Sequence, residues 1–205
     1  MPCLRRGLGC IATIVIGARY QCAFNRFCRA RLENYCARHG YDLKVLTTMI
    51  RELPGKKLTW QKILLPELPW WRTYDQVCIM DSDILIANDA PALPVISADR
   101  IGCVPDRLPD QINSGVLVYA PGEAVATCFA EALKDPEPYW DQRALSRVMR
   151  ERNMEAVLDE RFNRQVFLRC RSLPSTLFGR HWFYHALSGK SKIRLIHYWL
   201  KMAGR

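Results

Sequence analysis

The sequence predicts an α/β protein, a mainly parallel sheet with helices on both faces, forming a single domain over residues 1–205. Three observations predict it. Short apolar, β-branched segments alternate with longer stretches whose apolar residues recur at helical spacing, the pattern of a layered α/β sandwich. The first three such segments read strand, helix, strand, which by default closes as a right-handed βαβ unit. The length, 205 residues, suits one domain at roughly 100–200 residues each, and no repeat, low-complexity tract or long linker divides it.

The elements follow in order. Arg5 and Arg6 ahead of the apolar stretch Leu8–Ala18 superficially resemble a signal peptide. The β-branched Ile11, Ile14, Val15 and Ile16 instead favour a buried parallel strand over Ile11–Ile16. Residues 20–39 read as a helix, because Phe24, Phe27, Cys28, Leu32, Tyr35 and Cys36 fall on one stripe and Gly40 follows as a left-handed cap. Asp42–Thr47 reads as a second strand, Pro54-Gly55 as a turn, and Leu58–Leu68 as a helix interrupted near Pro66 and Pro69. Gln76–Met80 is a short buried strand that runs into Asp81-Ser82-Asp83, and Ile84-Leu85-Ile86 resumes the apolar run. Residues 88–94 form a loop. Ile101–Val104 and Val116–Tyr119 read as strands, with the turn-prone Asn113-Ser114-Gly115 ahead of the second. Glu123–Leu133 and Asp141–Arg150 read as helices, and Ile193–Tyr198 as a late strand.

Composition excludes several classes. Hydrophobic residues make up 49% and charged residues 24%, which rules out a disordered chain or a coiled coil. No apolar run approaches the about 20 residues a membrane-spanning helix needs. The formal charge is +10, from 30 basic and 20 acidic residues. Residues 161–205 hold ten basic residues and no acidic one, so residues 1–160 balance at 20 of each. A positive field of that kind suits an anionic partner. The nine cysteines show no Cys-x-x-Cys spacing and read as mostly buried, reduced thiols of a reducing compartment.

Asp81 and Asp83 carry the most chemistry. Two residues apart in an extended segment, both carboxylates face one small volume, and two such anions call for a cation between them. A hard divalent ion, Mg²⁺ or Mn²⁺, meets that need with oxygen ligands. Ligands in open α/β sheets bind beyond the carboxyl ends of strands, where Asp81 stands. An ordinary polar turn is the competing reading.

At this point several segments together resemble the type A (GT-A) nucleotide-sugar glycosyltransferases, above all retaining ones such as glycogenin, the lipopolysaccharide galactosyltransferases and the galactosyl/xylosyl transferases. Tyr35-Cys36-Ala37-Arg38-His39-Gly40-Tyr41-Asp42 looks like the end of their first helix. Trp60-Gln61-Lys62 is similar to their donor-binding basic segment, and Tyr74–Ile86 to their Asp-x-Asp strand. Ile112–Leu117 looks like the Asn-Ser/Ala-Gly loop beside the sugar, Asp141-Gln142 like the pair that borders it, and Ile196-His197-Tyr198 like the strand whose His completes the metal site. The family's Gly and Lys-Pro-Trp after that His are missing here, where His197-Tyr198-Trp199-Leu200-Lys201 stands. Haloacid-dehalogenase-like phosphatases also carry Asp-x-Asp after a strand, but on the first strand and with Thr or Val where Leu85 stands.

The resemblance implies the GT-A type of α/β/α sandwich. It implies a metal-dependent, retaining transfer of a hexose-type sugar from a nucleotide-diphosphate donor, UDP favoured, to a hydroxyl of a glycan or lipid-linked glycan. Asp81, Asp83 and His197 would hold Mn²⁺ or Mg²⁺. Lys62 would meet the diphosphate or the sugar, Lys201 the diphosphate, Ala12 and Thr13 the base, and Arg19 the phosphate or ribose. Ser82, Asn113, Ser114 and Gly115 would complete the donor site, with Asp141 and Gln142 at the reacting sugar. His181 and His185, four residues apart, lack a Glu between them in a metalloprotease pattern and read as structural. The basic tail, residues 161–205, would touch donor, acceptor or an anionic membrane surface, and the chain would work in the cytoplasm, peripheral to a membrane. A catalytically silent nucleotide- or glycan-binding relative is the alternative. A nucleic-acid-binding module is a further one, but no helix-turn-helix, RNP or zinc-finger pattern supports it and no nucleic acid is expected.

Overall fold

The computed structural model describes residues 8–136, 138–165, 181–185, 190–202 and 204. Strand β1 (Gly9–Ile14) leads through Gly17 into helix α1 (Ala18–Ala23), a π-turn at Phe24–Cys28 and helix α2 (Arg29–His39). Gly40 ends α2 with φ 73°, a left-handed cap that glycine adopts without a Cβ penalty. Strand β2 (Tyr41–Leu46) then pairs parallel to β1 from Gly9↔Tyr41 to Ile14↔Leu46, completing the expected βαβ unit. Residues Leu58–Glu67 form a 3₁₀ segment rather than the α-helix expected there. Pro66 lies within it, lacks an N–H and cannot continue an α-helical ladder.

Strands β3 (Gln76–Met80), β4 (Ile84–Ile86), β5 (Ile101–Pro105) and β6 (Ile112–Tyr119) follow, then helices α3 (Glu123–Leu133) and α4 (Asp141–Glu151), and short strands β7 (Glu155–Val157), β8 (Arg164–Gln165) and β9 (Phe183–His185). The main sheet has the order β2-β1-β3-β6-β5-β7. Every pairing is parallel except those of β6, which runs antiparallel to both β3 and β5. A second sheet of order β4-β9-β8 lies beside it.

Alternation along the strands builds the two faces. Cys78, Met80, Val116 and Val118 join Phe24, Leu32 and Tyr35 of the first helical segment and Phe183 of the second sheet in one core. Val77, Ile79, Leu117 and Tyr119 join Trp60, Trp71, Phe129 and Leu145 in the other. Helices therefore cover both faces, the α/β/α sandwich expected.

Two corrections concern the site. Asn113-Ser114-Gly115 is not a loop but part of β6, all eight residues of which are buried. The register against β5 jumps there, from Cys103↔Leu117 to Val104↔Asn113, so Ser114, Gly115 and Val116 bulge out of the ladder with β5. The late strand expected at Ile193–Tyr198 is a helix, α5 (Lys190–Met202). Ile193, Ile196 and Leu200, three and four residues apart, form its buried stripe. No helix among the described residues is long and apolar enough to cross a membrane. Much of the basic tail, residues 166–180 and 186–189, lies outside the described residues, as do Cys3 and Cys170.

Candidate active site

The main sheet delivers the carboxylates. β3 is buried along Val77–Met80, and the chain leaves the sheet at its carboxyl end. Asp81 donates its backbone N–H to the Gly115 carbonyl at 2.8 Å, and its own carbonyl accepts from Ile84 N–H at 3.2 Å. Residues 81–84 therefore form a tight turn rather than an extended segment. The polar turn and the carboxylate pair coincide, because the turn brings the Asp81 and Asp83 carboxylates together. β4 starts directly after it and pairs antiparallel with β9, setting Ile84 opposite His185. That register brings His185 to the carboxylates.

His185 Nε2 lies 3.3 Å from Asp83 Oδ1 and 3.6 Å from Asp81 Oδ2. Ligand atoms of Asp81, Asp83 and His185 all lie within 4.8 Å of one another. Burial pulls the imidazole towards its neutral form, but Asp83 and then Asp81 outweigh it, and the net pKa lies above the ordinary histidine value. The His185 side chain fills space that Gly115 leaves. A Cβ on Gly115 would lie 2.6 Å from His185 Cε1 and 2.7 Å from Nδ1. Gly115 thus serves the seat of a histidine. The sequence expectation had given its open face to a sugar.

His197 is not the histidine of this cluster. It lies on α5 with its ring edge-on to Phe27 at 5.5 Å. Burial, then the neighbouring Arg31 and Lys201, hold its pKa below the ordinary value. Cationic neighbours of that kind oppose a metal ion. Lys201 is exposed near the end of the same helix, and neither residue lines the cleft. The structural reading of His185 is likewise corrected, since β9 is a strand and sets the ring against two acids.

On the opposite side of Asp81 stands Lys62, from the 3₁₀ segment. Its neighbour Gln61 is anchored by hydrogen bonds to Ile50 N–H and the Arg51 carbonyl. Lys62 Nζ donates to Asp81 Oδ1 at 2.8 Å, to the Ser114 carbonyl at 3.2 Å and to Ser114 Oγ at 3.3 Å. Asp141 Oδ2 lies 3.4 Å from the same nitrogen and accepts from Ser114 Oγ at 3.0 Å. Burial works against the ammonium, yet Asp141 and Asp81 more than offset it, so its pKa is raised and Lys62 stays charged. The Asp141 and Lys62 side chains each keep only 6% of their surface exposed, against 30% for Asp81. Asp141 therefore faces Lys62 and Ser114 from the first turn of α4 rather than the open cleft.

An amide network supports both sides. Gln142 Oε1 accepts from Ser114 N–H at 3.3 Å, and its Nε2 donates to Asp106 Oδ2 at 3.2 Å. Asn113 Nδ2 and Gln165 Nε2 donate to that same oxygen. Asn163 Nδ2 donates to Asn113 Oδ1 at 2.6 Å. Asp106, Asn163 and Gln165 were not anticipated. Asn and Gln are common in loops, and nothing in their spacing marks them.

A cleft of about 440 Å³ opens beside the cluster. Asp81, Ser82, Asp83 and Lys62 line it, and Arg19 stands exposed in its wall. Ile14, Ile16, Tyr20, Phe24 and Leu58 add an apolar surface. Ala12 and Thr13 do not reach it. They are 0% and 1% exposed inside the sheet, and the Thr13 hydroxyl has no hydrogen-bond partner among the described residues. Ile14 and Ile16 take the place in the cleft wall expected for them.

The donor set fits a hard divalent ion. Two carboxylates and one imidazole converge, and the Lys62 ammonium beside them engages Asp81 and Asp141. Oxygen donors with one imidazole suit Mn²⁺ or Mg²⁺.

No family model and no curated protein matches the sequence. Solved structures do match in fold. A glycosyltransferase involved in glycosylation of the PBCV-1 major capsid superposes with a TM-score of 0.68 at 14% identity, covering 91% of this chain and 98% of that one. The galactosyltransferase LgtC, in complex with donor and acceptor sugar analogs, gives 0.55 at 14% identity over 92% and 95%. The glycosyltransferase GlyE of Streptococcus pneumoniae TIGR4 gives 0.55 at 13% identity over 95% of this chain and 63% of that one. The chain has the fold of these glycosyltransferases.

Proposed function

We propose that this protein is a metal-dependent, retaining glycosyltransferase. It moves a hexose-type sugar from a nucleotide-diphosphate donor, UDP favoured, to a hydroxyl of a glycan or lipid-linked glycan. The observation that carries the reading is the Asp81–Asp83–His185 cluster opening onto the cleft. The glycosyltransferase fold supports it.

When bound, a divalent ion supplies Lewis-acid stabilisation of charge on the departing diphosphate. The chain's own residues do the rest. Asp81, Asp83 and His185 hold the ion. Lys62 contributes a fixed positive charge at the same place, held charged by Asp81 and Asp141, so no reorganisation accompanies bond breaking. Arg19 meets phosphate or ribose from the cleft wall, and Ile14, Ile16, Tyr20, Phe24 and Leu58 exclude water from the nucleoside. Ser82 borders the donor. Ser114 and Gln142 hold β6 and α4 together beneath the site, and Asn113 ties β6 to Asp106 and Asn163, rather than reaching into it. Six of the seven described cysteines are buried and all seven are free, which agrees with a reducing, cytoplasmic setting. Contact of residues 161–205 with an anionic membrane belongs to the same proposal.

The test is a thermal-shift series of nucleotide sugars with and without Mn²⁺. A true donor raises the melting temperature in proportion to its occupancy, and the rise is expected only with the metal. Product analysis by NMR then reads the anomeric configuration. Binding without turnover on any acceptor would leave the silent-relative alternative standing. No shift with any nucleotide sugar would end the reading.

A further inference from the structure

We infer that Asn163 is a positioning residue that sets the tautomer of His185, through a chain of amide hydrogen bonds that starts at a backbone N–H. The inference rests on the reading above that His185 serves a cation.

The chain can be followed atom by atom. A backbone N–H can only donate. Gly115 N–H points at the Asn113 side chain at 2.8 Å, so the Asn113 atom there is the oxygen Oδ1. The other end of that amide, Nδ2, then faces the Asp106 carboxylate at 3.4 Å, which is an acceptor. Asn163 also approaches Asn113 Oδ1, at 2.6 Å, so it must present its NH₂ group. The Asn163 oxygen consequently faces His185 Nδ1 at 3.1 Å and can only accept, so Nδ1 carries a hydrogen. A neutral imidazole has one N–H. Nε2 is left with a lone pair, aimed at the gap between Asp81 and Asp83.

That outcome is the reverse of what the two carboxylates would choose. Alone, they would draw the N–H to Nε2, since a lone pair facing carboxylate oxygens is repelled. The amide chain overrides them, and burial makes the override effective. Asn113, Asn163 and His185 are 2%, 3% and 6% exposed, so water does not stand in for a missing partner and an unmatched donor or acceptor would go uncompensated. In the neutral ring, a lone pair held against two acids accepts a cation there, a proton in the free chain or a metal ion in its place. Metal-binding histidines commonly have the other ring nitrogen fixed in this way, and loss of the partner typically costs about 10–100-fold in metal affinity.

The test uses the full chain without metal, labelled with ¹⁵N in its histidines. Long-range ¹H–¹⁵N NMR at a pH where the ring is neutral is expected to show His185 protonated at Nδ1. Protonation at Nε2 overturns the inference without recourse to any variant. Asn163→Ala is expected to move the proton towards Nε2 and to weaken Mn²⁺ binding about 10–100-fold by calorimetry. Asn163→Asp loses the donor to Asn113 Oδ1 but keeps an acceptor oxygen before Nδ1, and is expected to hold the proton at Nδ1 where Asn163→Ala does not, a readout that a merely structural role would not move. An Asn163→Ala protein with the wild-type tautomer and wild-type Mn²⁺ affinity overturns the inference. A wild type that binds no Mn²⁺ sinks the metal-dependent function, and the metal-free tautomer still decides the relay.

Discussion

Asp81 stands between two differently built flanks. Its Oδ1 meets Lys62, an ammonium almost wholly buried between Asp81 and Asp141. Its Oδ2 faces His185 and, across the gap, Asp83. The lysine flank is neutralised by the chain itself and comes from covalently distant pieces, the 3₁₀ segment, β6 and α4, locked by short hydrogen bonds. The histidine flank concentrates negative charge and keeps Asp83 in the cleft wall. One flank is part of the folded core. The other, on the proposed function, receives an exchangeable ion, so acids of the same kind would contribute stability on one side and binding on the other.

Substitutions that separate stability from metal binding sharpen this contrast. Lys62→Met should have the largest effect. It strands the buried Asp141 carboxylate, and breaking a buried pair in that way costs about 3–5 kcal/mol, read by urea denaturation without metal. A loss below about 1 kcal/mol would mean that the lysine flank is not structural. Asp83→Ala should do the converse. Unfolding without metal should barely change, whereas the gain that wild type shows in Mn²⁺ at 100 times its Kd, about 2.7 kcal/mol, should vanish. If Asp83→Ala unfolds as readily as Lys62→Met, the two flanks do not differ. Gly115→Ala probes the histidine flank from within. The new methyl collides with the His185 ring, and overpacking of this kind costs about 1–3 kcal/mol. Mn²⁺ affinity should fall along with stability. Unchanged Mn²⁺ binding would show that His185 is dispensable there.

The smallest expected effect concerns the cysteines. Burial pushes the thiols of Cys10, Cys36, Cys103 and Cys128 up to about 12, so they stay protonated and unreactive at neutral pH. Among the described cysteines, only Cys22 is exposed. Alkylation of the native chain followed by peptide mapping should label Cys22 and leave those four untouched. Labelling of Cys10 or Cys103 would show that the main sheet opens on the time scale of the reagent.

Much of the fold was legible because it is written in local patterns. The βαβ unit, β3, α3 and α4 lie where apolar periodicity put them, and Asp81 and Asp83 stand out because a buried strand ends in acids. The errors have physical causes. Ile193–Tyr198 looks like a strand when read for β-branched residues, yet Ile193, Ile196 and Leu200 carry helical spacing, and that signal was available. Asn113-Ser114-Gly115 looks like a loop because its residues favour turns, but packing between β3 and β5 holds it as a bulged strand. His185 reads as structural because its four-residue spacing from His181 suits a helical metal pair but lacks the Glu of a metalloprotease pattern. It stands instead in a three-residue strand, too short to show a period.

By itself the sequence determined the layered α/β architecture and the place where a strand hands two carboxylates to the sheet rim, since both depend on residues adjacent in the chain. Only the tertiary structure decided which histidine joins them, that Asp141 lies beneath Lys62, and that Gly115, Asn113 and Asn163 act in series. Apart from the Gly115–Asn113 step, those relations join positions 22 to 104 residues apart. Strand register and the space left by a missing Cβ set them, and neither leaves a trace in local spacing.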